Sequence, residues 1–167
     1  MFKINDLVHY GTSGVCVVSE IVERVFKDEP VTYYVLKPMF SKNATLYVPT
    51  SNSDLTSRMR KLITKKQINE LLSSLTDDDC IWIDNENERK NRFKEILLSG
   101  NSRDMVCLIR TLYLHQEEKK ATGKKMHLTD ERFFKDAERL VYDEFSVALK
   151  IPQDEVIPYI KKFIEGN

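Results

Sequence analysis

Cysteine is scarce: Cys16, Cys80 and Cys107 lie far apart and are odd in number, which argues against a disulfide framework and for buried apolar filling. Metal-ligand spacing is missing too. His9, His115 and His127 stand apart, with no CxxC and no HExxH, so no metal and no other cofactor is expected. No apolar run approaches the roughly 20 residues of a membrane helix. The opening MFKINDLVHY also lacks the basic-then-apolar plan of a signal peptide, so a cytoplasmic protein without a membrane partner is expected. Net charge is absent as well, since 26 Lys and Arg balance 26 Asp and Glu. No global field draws this chain to nucleic acid, and any DNA binding must come from a local patch. Neither a nucleophile with its base, nor paired carboxylates, nor a phosphate-cradling loop has recognisable support, which argues against an enzyme and a small-molecule substrate.

What is there is enough for a core: 167 residues, of which 41% are hydrophobic and 10% aromatic. The chain is written in two periods. From Leu7 to Val48 it is rich in β-branched and aromatic residues, cut by Gly11, Gly14, Pro30, Pro38 and Pro49. Strands are expected at Leu7 to Tyr10, Val15 to Phe26, Val31 to Lys37 and Thr45 to Val48, with Arg58 to Ile63 as a fifth that closes a small barrel. Gly11 to Gly14 suits positive φ, and Lys27 to Pro30 reads as a polar hairpin loop.

After Ile63 the period becomes helical, which places a domain boundary there and divides the chain into residues 1–63 and 64–167. The pattern Thr64-Lys65-Lys66-Gln67 is a capping box, followed by Ile68, Leu71, Leu72 and Leu75 on one face of a helix over about 65–75. A second helix is expected after the acidic run Asp77 to Asp79, ending at Ser99-Gly100-Asn101. Ser102 reads as the cap of a third, with Met105, Val106, Ile109, Leu112 and Tyr113 inward. Thr129 reads as the cap of a fourth, carrying Phe133, Ala137, Leu140, Val141 and Phe145, and Pro152 suits the first turn of a short last helix. The fold class is α+β: a small β-barrel, then an all-helical bundle.

The segments FKINDLVHYGTSGVCVVSEIVER, YYVLKP and LYVPTSN resemble the N-terminal module shared by CarD and CdnL proteins and by the transcription-repair coupling factor. The resemblance continues in the lone Trp82, a basic helix, SGN at 99–101 and LIRTLY at 108–113, which are similar to the helical DNA-binding domain of CarD. It implies a Tudor-like barrel that docks on the β subunit of RNA polymerase. It also implies a helical domain that binds promoter DNA at the upstream edge of the transcription bubble and stabilises the open promoter complex. The implied protein is bacterial, cytoplasmic and nucleoid-associated through the polymerase.

Arg24 matches a position where the family carries an arginine that contacts the polymerase; otherwise it is an ordinary strand-end arginine. Tyr47, just before Val48-Pro49, stands where better-known members have a second arginine, and cannot supply a guanidinium's paired bonds. Arg24, Tyr47 and Pro49 form the expected polymerase contact. Trp82, without the resemblance, reads as a core tryptophan; with it, as an aromatic wedge in a distorted minor groove. Familiar members place arginines directly after this tryptophan, whereas here Asp84 to Glu88 intervene and Arg89, Lys90, Arg92 and Lys94 follow. Those four, with Lys124 and Lys125 in the lysine-rich loop around Gly123, are the expected phosphate contacts; the plain alternative is a solvated helix face and loop.

The main rival is a two-module protein–protein adaptor that does not touch DNA. An RNA-binding barrel is disfavoured, because residues 1–60 hold seven basic and six acidic side chains without aromatic–basic interleaving. A monomer is expected, although an exposed Thr45 to Val48 edge could pair with a polymerase strand or with a second copy.

Overall fold

In a computed structural model, which describes residues 1–41, 43–79 and 82–165, the chain forms two compact units, Met1–Leu62 and Ile63–Asn167. The first is an antiparallel sheet of β1 (Leu7–Tyr10), β2 (Gly14–Phe26), β3 (Glu29–Pro38), β4 (Leu46–Pro49) and β5 (Met59–Lys61), with a one-turn helix α1 (Ser53–Thr56) before β5. The links let β2, β3 and β4 each fold back on the strand before it. Lys27 and Asp28 both take positive φ, of 52° and 65°, the backbone of a two-residue hairpin whose twist suits the flanking strands. Gly11 and Gly14, at φ 46° and 73°, bracket the tight turn from β1 to β2.

The strand order is β4-β3-β2-β1-β5, which corrects the expected closed barrel. The fifth strand pairs with β1 instead of meeting β4, so the sheet is open and β4 and β5 are its edges. A bulge between Val18 and Glu20 on β2 increases the local twist. Val8, Cys16, Val18, Tyr34, Leu36, Val48 and Met59 form the core of this unit, against Phe2, Tyr10, Leu46 and Leu55. Beyond Val22 and Tyr33, β2 and β3 run on as a two-stranded ribbon whose tip exposes Val25 and Phe26.

The second unit contains α2 (Lys65–Ser74), α3 (Glu86–Ser99), α4 (Ser102–Ala121), α5 (Leu128–Leu149) and α6 (Val156–Glu165). The capping box forms as read: the Thr64 hydroxyl accepts from the Gln67 amide, and the Gln67 side chain accepts from the Thr64 amide. Three helix starts differ from expectation. Asp77–Asp79 makes its own 3-10 turn, and α3 begins at Glu86, capped by Asn85. The side-chain oxygen of Asn101, not Ser102, accepts from the Asp104 amide and caps α4. Helix α5 starts at Leu128, one residue before Thr129, with no side-chain cap. Pro152 precedes a 3-10 turn over Gln153–Glu155, and α6 follows it. Gly100 closes α3 in the left-handed conformation at φ 66°, as its place predicts.

The bundle core joins Ile68, Leu71 and Leu72 of α2, Phe93, Ile96 and Leu97 of α3, Met105, Leu108 and Leu112 of α4, and Ala137, Leu140, Val141 and Phe145 of α5. On α5 it is Phe134 that is buried, with Phe133 only half so, and on α4 Tyr113 turns to solvent. Glu144 of α5 is fully buried and its carboxylate accepts from the Ile63 amide at 3.0 Å. That bond ties the start of the unit to its central helix. Cys16 is buried and Cys107 half-buried; Cys80 lies outside the described residues. Among the described residues, no helix is long and apolar enough to cross a membrane.

Candidate functional site

The sheet register collects the expected polymerase residues on one face. Val22 lies opposite Tyr33 and Tyr33 opposite Pro49, while Arg24 faces Val31 and Tyr47 faces Val35. Since side chains alternate with period two, Arg24, Tyr33, Tyr47 and Pro49 all point the same way. The Arg24 guanidinium carbon sits 4.8 Å from the centre of the Tyr47 ring, with Nη2 3.5 Å from the phenol oxygen. Tyr33 meets Tyr47 edge to face at 6.3 Å. Tyr47 thus steadies the arginine instead of adding a second charge. Arg24 and Tyr47 are exposed and Pro49 half-buried. Tyr33 was missed in the sequence, where nothing tells it from the buried Tyr34 until register is known.

In the helical unit Trp82 is neither free nor sealed in the core. It is half-buried on the bundle surface, stacked on His115 of α4 at 3.7 Å between ring centres and 13° between planes. It also meets Phe93 edge to face at 6.4 Å. The Arg89 guanidinium carbon is 4.6 Å from its ring centre.

Arg89 itself is a correction. It belongs to the inner stripe of α3, four residues before Phe93, and its side chain is only 5% exposed. Nε and Nη2 donate to the two oxygens of buried Asp130 at 2.9 and 3.1 Å, and Nη1 donates to the Ile83 and Asp84 carbonyls at 3.0 and 3.2 Å. With its donors so engaged, Arg89 does not face phosphate; it fixes the backbone just after Trp82. Its spacing to Phe93 and Ile96 was the signal available in the sequence. Asp130 offered none.

The other basic residues lie outward. Lys90 is half-buried and pairs with Glu86 at 3.3 Å, Arg92 is exposed and pairs with Glu95 at 3.6 Å, and Lys94 is exposed. Lys124 and Lys125 are exposed in the loop from α4 to α5, which turns at Gly123 with φ 72°. The acidic stretch after Trp82 has a local cause. Asn85 caps α3, and Glu86 and Glu88 occupy its first turn, where the helix dipole favours negative charge. The Glu86 carboxyl is held below its ordinary range by its bond to Lys90, then by the charges of Lys90, His127 and Arg89.

His115, like Tyr33 and Asp130, was not singled out in the sequence for this site. It lies on α4 one turn before Lys119, and its pKa is lowered from 6.5 by burial and then by Lys119. The arrangement therefore sets an indole and an imidazole face to face, with the charge of Lys119 beside them. Among the described residues, no group of three His, Cys, Asp or Glu is placed to hold a metal ion.

Comparison with known proteins bears on the sheet unit. Residues 2–63 match the family model described as the CarD-like/TRCF RID domain, an RNA polymerase-interacting module. The resemblance read from the opening segments therefore stands over this unit. No curated protein matches the chain.

Proposed function

We propose that this protein is a CarD-type transcription regulator. Its sheet unit binds the β subunit of RNA polymerase, and its helical unit binds promoter DNA at the upstream edge of the transcription bubble, stabilising the open complex. The match of residues 2–63 with a polymerase-interacting domain carries this reading. The face that gathers Arg24, Tyr33, Tyr47 and Pro49 supports it, since arginine and tyrosine are the side chains that most often anchor interfaces. The free edge of β4 adds backbone donors and acceptors that a polymerase strand could pair with.

In the helical unit Trp82 would enter the opened minor groove. Lys90, Arg92 and Lys94, with Lys124 and Lys125, would meet phosphates, while Arg89 supports the indole from behind. The protein acts as a monomer, without catalysis or a cofactor. One observation favours the adaptor alternative: residues 63–167 hold 18 basic and 20 acidic side chains, so their binding partner need not be an anion.

The test has two arms. Polymerase pull-down with Arg24→Glu should show a large loss of association with the fold intact. Open-complex lifetime with Trp82→Ala should fall toward the value without the protein. If Arg24→Glu retains full polymerase binding, the docking face is wrong. If Trp82→Ala stabilises open complexes as the parent does, Trp82 is not at the DNA.

A further inference from the structure

The stack of His115 on Trp82 has the form of a nucleobase stack: two flat heteroaromatic rings 3.7 Å apart and 13° from parallel. The partners are held very differently. The segment after Trp82 is pinned, because Arg89 binds the Ile83 and Asp84 carbonyls and is itself clamped by Asp130. Phe93, a core residue, supports the indole edge. His115 is half-exposed on α4, and among the described residues its ring makes no hydrogen bond. Rotation about its own side-chain torsions is enough to lift it off without disturbing a helix. Lys119, one turn further along α4, is near enough for its charge to bear on His115; Lys120, paired with Glu117, and the exposed Lys124 and Lys125 follow it in the chain. An aromatic platform beside flexible cations is the arrangement that receives unpaired nucleotides, with the ring stacking on the base and the lysines neutralising the backbone.

We infer that His115 is a placeholder: in the free protein it occupies the indole face that an unpaired nucleobase takes in the DNA complex, so engagement of opened DNA proceeds by displacing the imidazole from Trp82. This rests on the DNA-binding reading of the helical unit and adds to it a competing internal ligand. Closed duplex, whose bases are already stacked on one another, offers nothing to exchange for the imidazole. An opened junction does. The placeholder therefore weakens binding to every form of DNA that uses the indole face, and leaves contacts made by lysines alone untouched.

The full-length chain is titrated against a labelled forked duplex and against the same sequence fully paired, for the parent, His115→Ala, His115→Phe and Trp82→Ala. Removal of one aromatic stack should tighten binding of His115→Ala to the fork by about three- to ten-fold, with binding to closed duplex unchanged. His115→Phe, which stacks without a polar edge to draw it into water, should bind the fork more weakly than the parent. Trp82→Ala should lose the preference for the fork. If His115→Ala binds the fork no more tightly than the parent while Trp82→Ala weakens it, the placeholder is overturned and the DNA reading stands. If Trp82→Ala binds the fork as well as the parent, or the parent shows no preference for the fork, the use of the indole is overturned and the placeholder with it.

Discussion

Asp130→Ala is the most informative single perturbation of the helical unit, because it removes one member of an ion pair that is almost wholly withdrawn from water. The Arg89 and Asp130 side chains are 5% and 1% exposed, so solvent screening that reduces surface pairs to almost nothing does not apply. Truncating the carboxylate leaves a buried guanidinium whose remaining hydrogen-bond acceptors, among the described residues, are the Ile83 and Asp84 carbonyls. Breaking such a pair from one side costs about 3 to 5 kcal/mol, against a whole-domain stability of about 5 to 15 kcal/mol. For a unit of this size that is a fall in Tm of about 10 °C or more. Trp82, the sole tryptophan, lies against Arg89 and reports unfolding of this unit alone, so urea titration followed by its fluorescence measures the effect directly. The double variant Arg89→Met with Asp130→Leu should be more stable than Asp130→Ala, since no charge is left unpaired. Its Trp82 emission should nevertheless differ from the parent's, because nothing then holds the Ile83 and Asp84 carbonyls. A loss below about 1 kcal/mol for Asp130→Ala would refute the reasoning.

Further outcomes follow from the same geometry. Replacing Lys124 and Lys125 with alanine should flatten the dependence of log affinity for forked DNA on log salt by about one to two units, and replacing Lys90 and Lys94 should do the same; an unchanged slope assigns either pair to a solvated surface. His115 should respond to acid. Burial and then Lys119 lower its pKa from 6.5, with Arg89 acting the same way and Asp130 and Glu118 opposing. The stacked imidazole therefore binds a proton less readily than a released one, so the proton-linked stability of the stack is fully present above pH 6.5 and is lost progressively as pH falls below it. Trp82 emission should change over that acid range in the parent and not in His115→Ala; a flat profile in the parent would contradict the assignment. Burial pushes the Cys16 thiol up to about 12, so it should stay unreactive toward a thiol reagent at pH 8 in the native protein and react on unfolding, as mass spectrometry of the labelled peptide would show.

Most of the architecture was legible because it is local. β-branched and aromatic runs cut by glycine and proline located the strands, Thr64 and Gln67 located a helix start, and Gly100 a helix end. Closure of the sheet was not legible, because whether β5 meets β4 or stays on β1 depends on twist and on the bulge at Val18–Glu20, which leave no composition signal. Caps slipped by a residue where two capping residues stand together, as at Asn101 and Ser102. At the candidate site, the sequence singled out Trp82 and the lysines by residue type and family resemblance. It misplaced Arg89, since a basic residue amid Lys90, Arg92 and Lys94 reads as surface. Its burial depends on Asp130, 41 positions away, and no local pattern encodes such a partner. His115 escaped for the same reason, its meaning lying in the ring it stacks on.

The near neutrality of the helical unit bears on how the two halves divide the work in the proposed function. A DNA-binding domain that acts alone needs a basic field to find its site against salt, and that field also holds it on the wrong sequences. A unit tethered to a polymerase-binding unit does not need it. Once the sheet unit is docked, the helical unit meets promoter DNA at an effective concentration set by the tether, which for short links is in the millimolar range. Weak intrinsic affinity then suffices, and selectivity can rest on a contact available only in opened DNA. Trp82, held by Arg89 and covered by His115, suits that role: in the proposed function it would contribute little on closed duplex and most when the strands part. Only an interaction that is stronger in the open state shifts the melting equilibrium, so a modest indole contact of this kind does more for open-complex lifetime than a larger, uniform charge. A corollary is that adding surface lysines to α3 should tighten DNA binding by the isolated chain while leaving open-complex lifetime little changed, whereas uncovering Trp82 should lengthen that lifetime with little effect on duplex affinity.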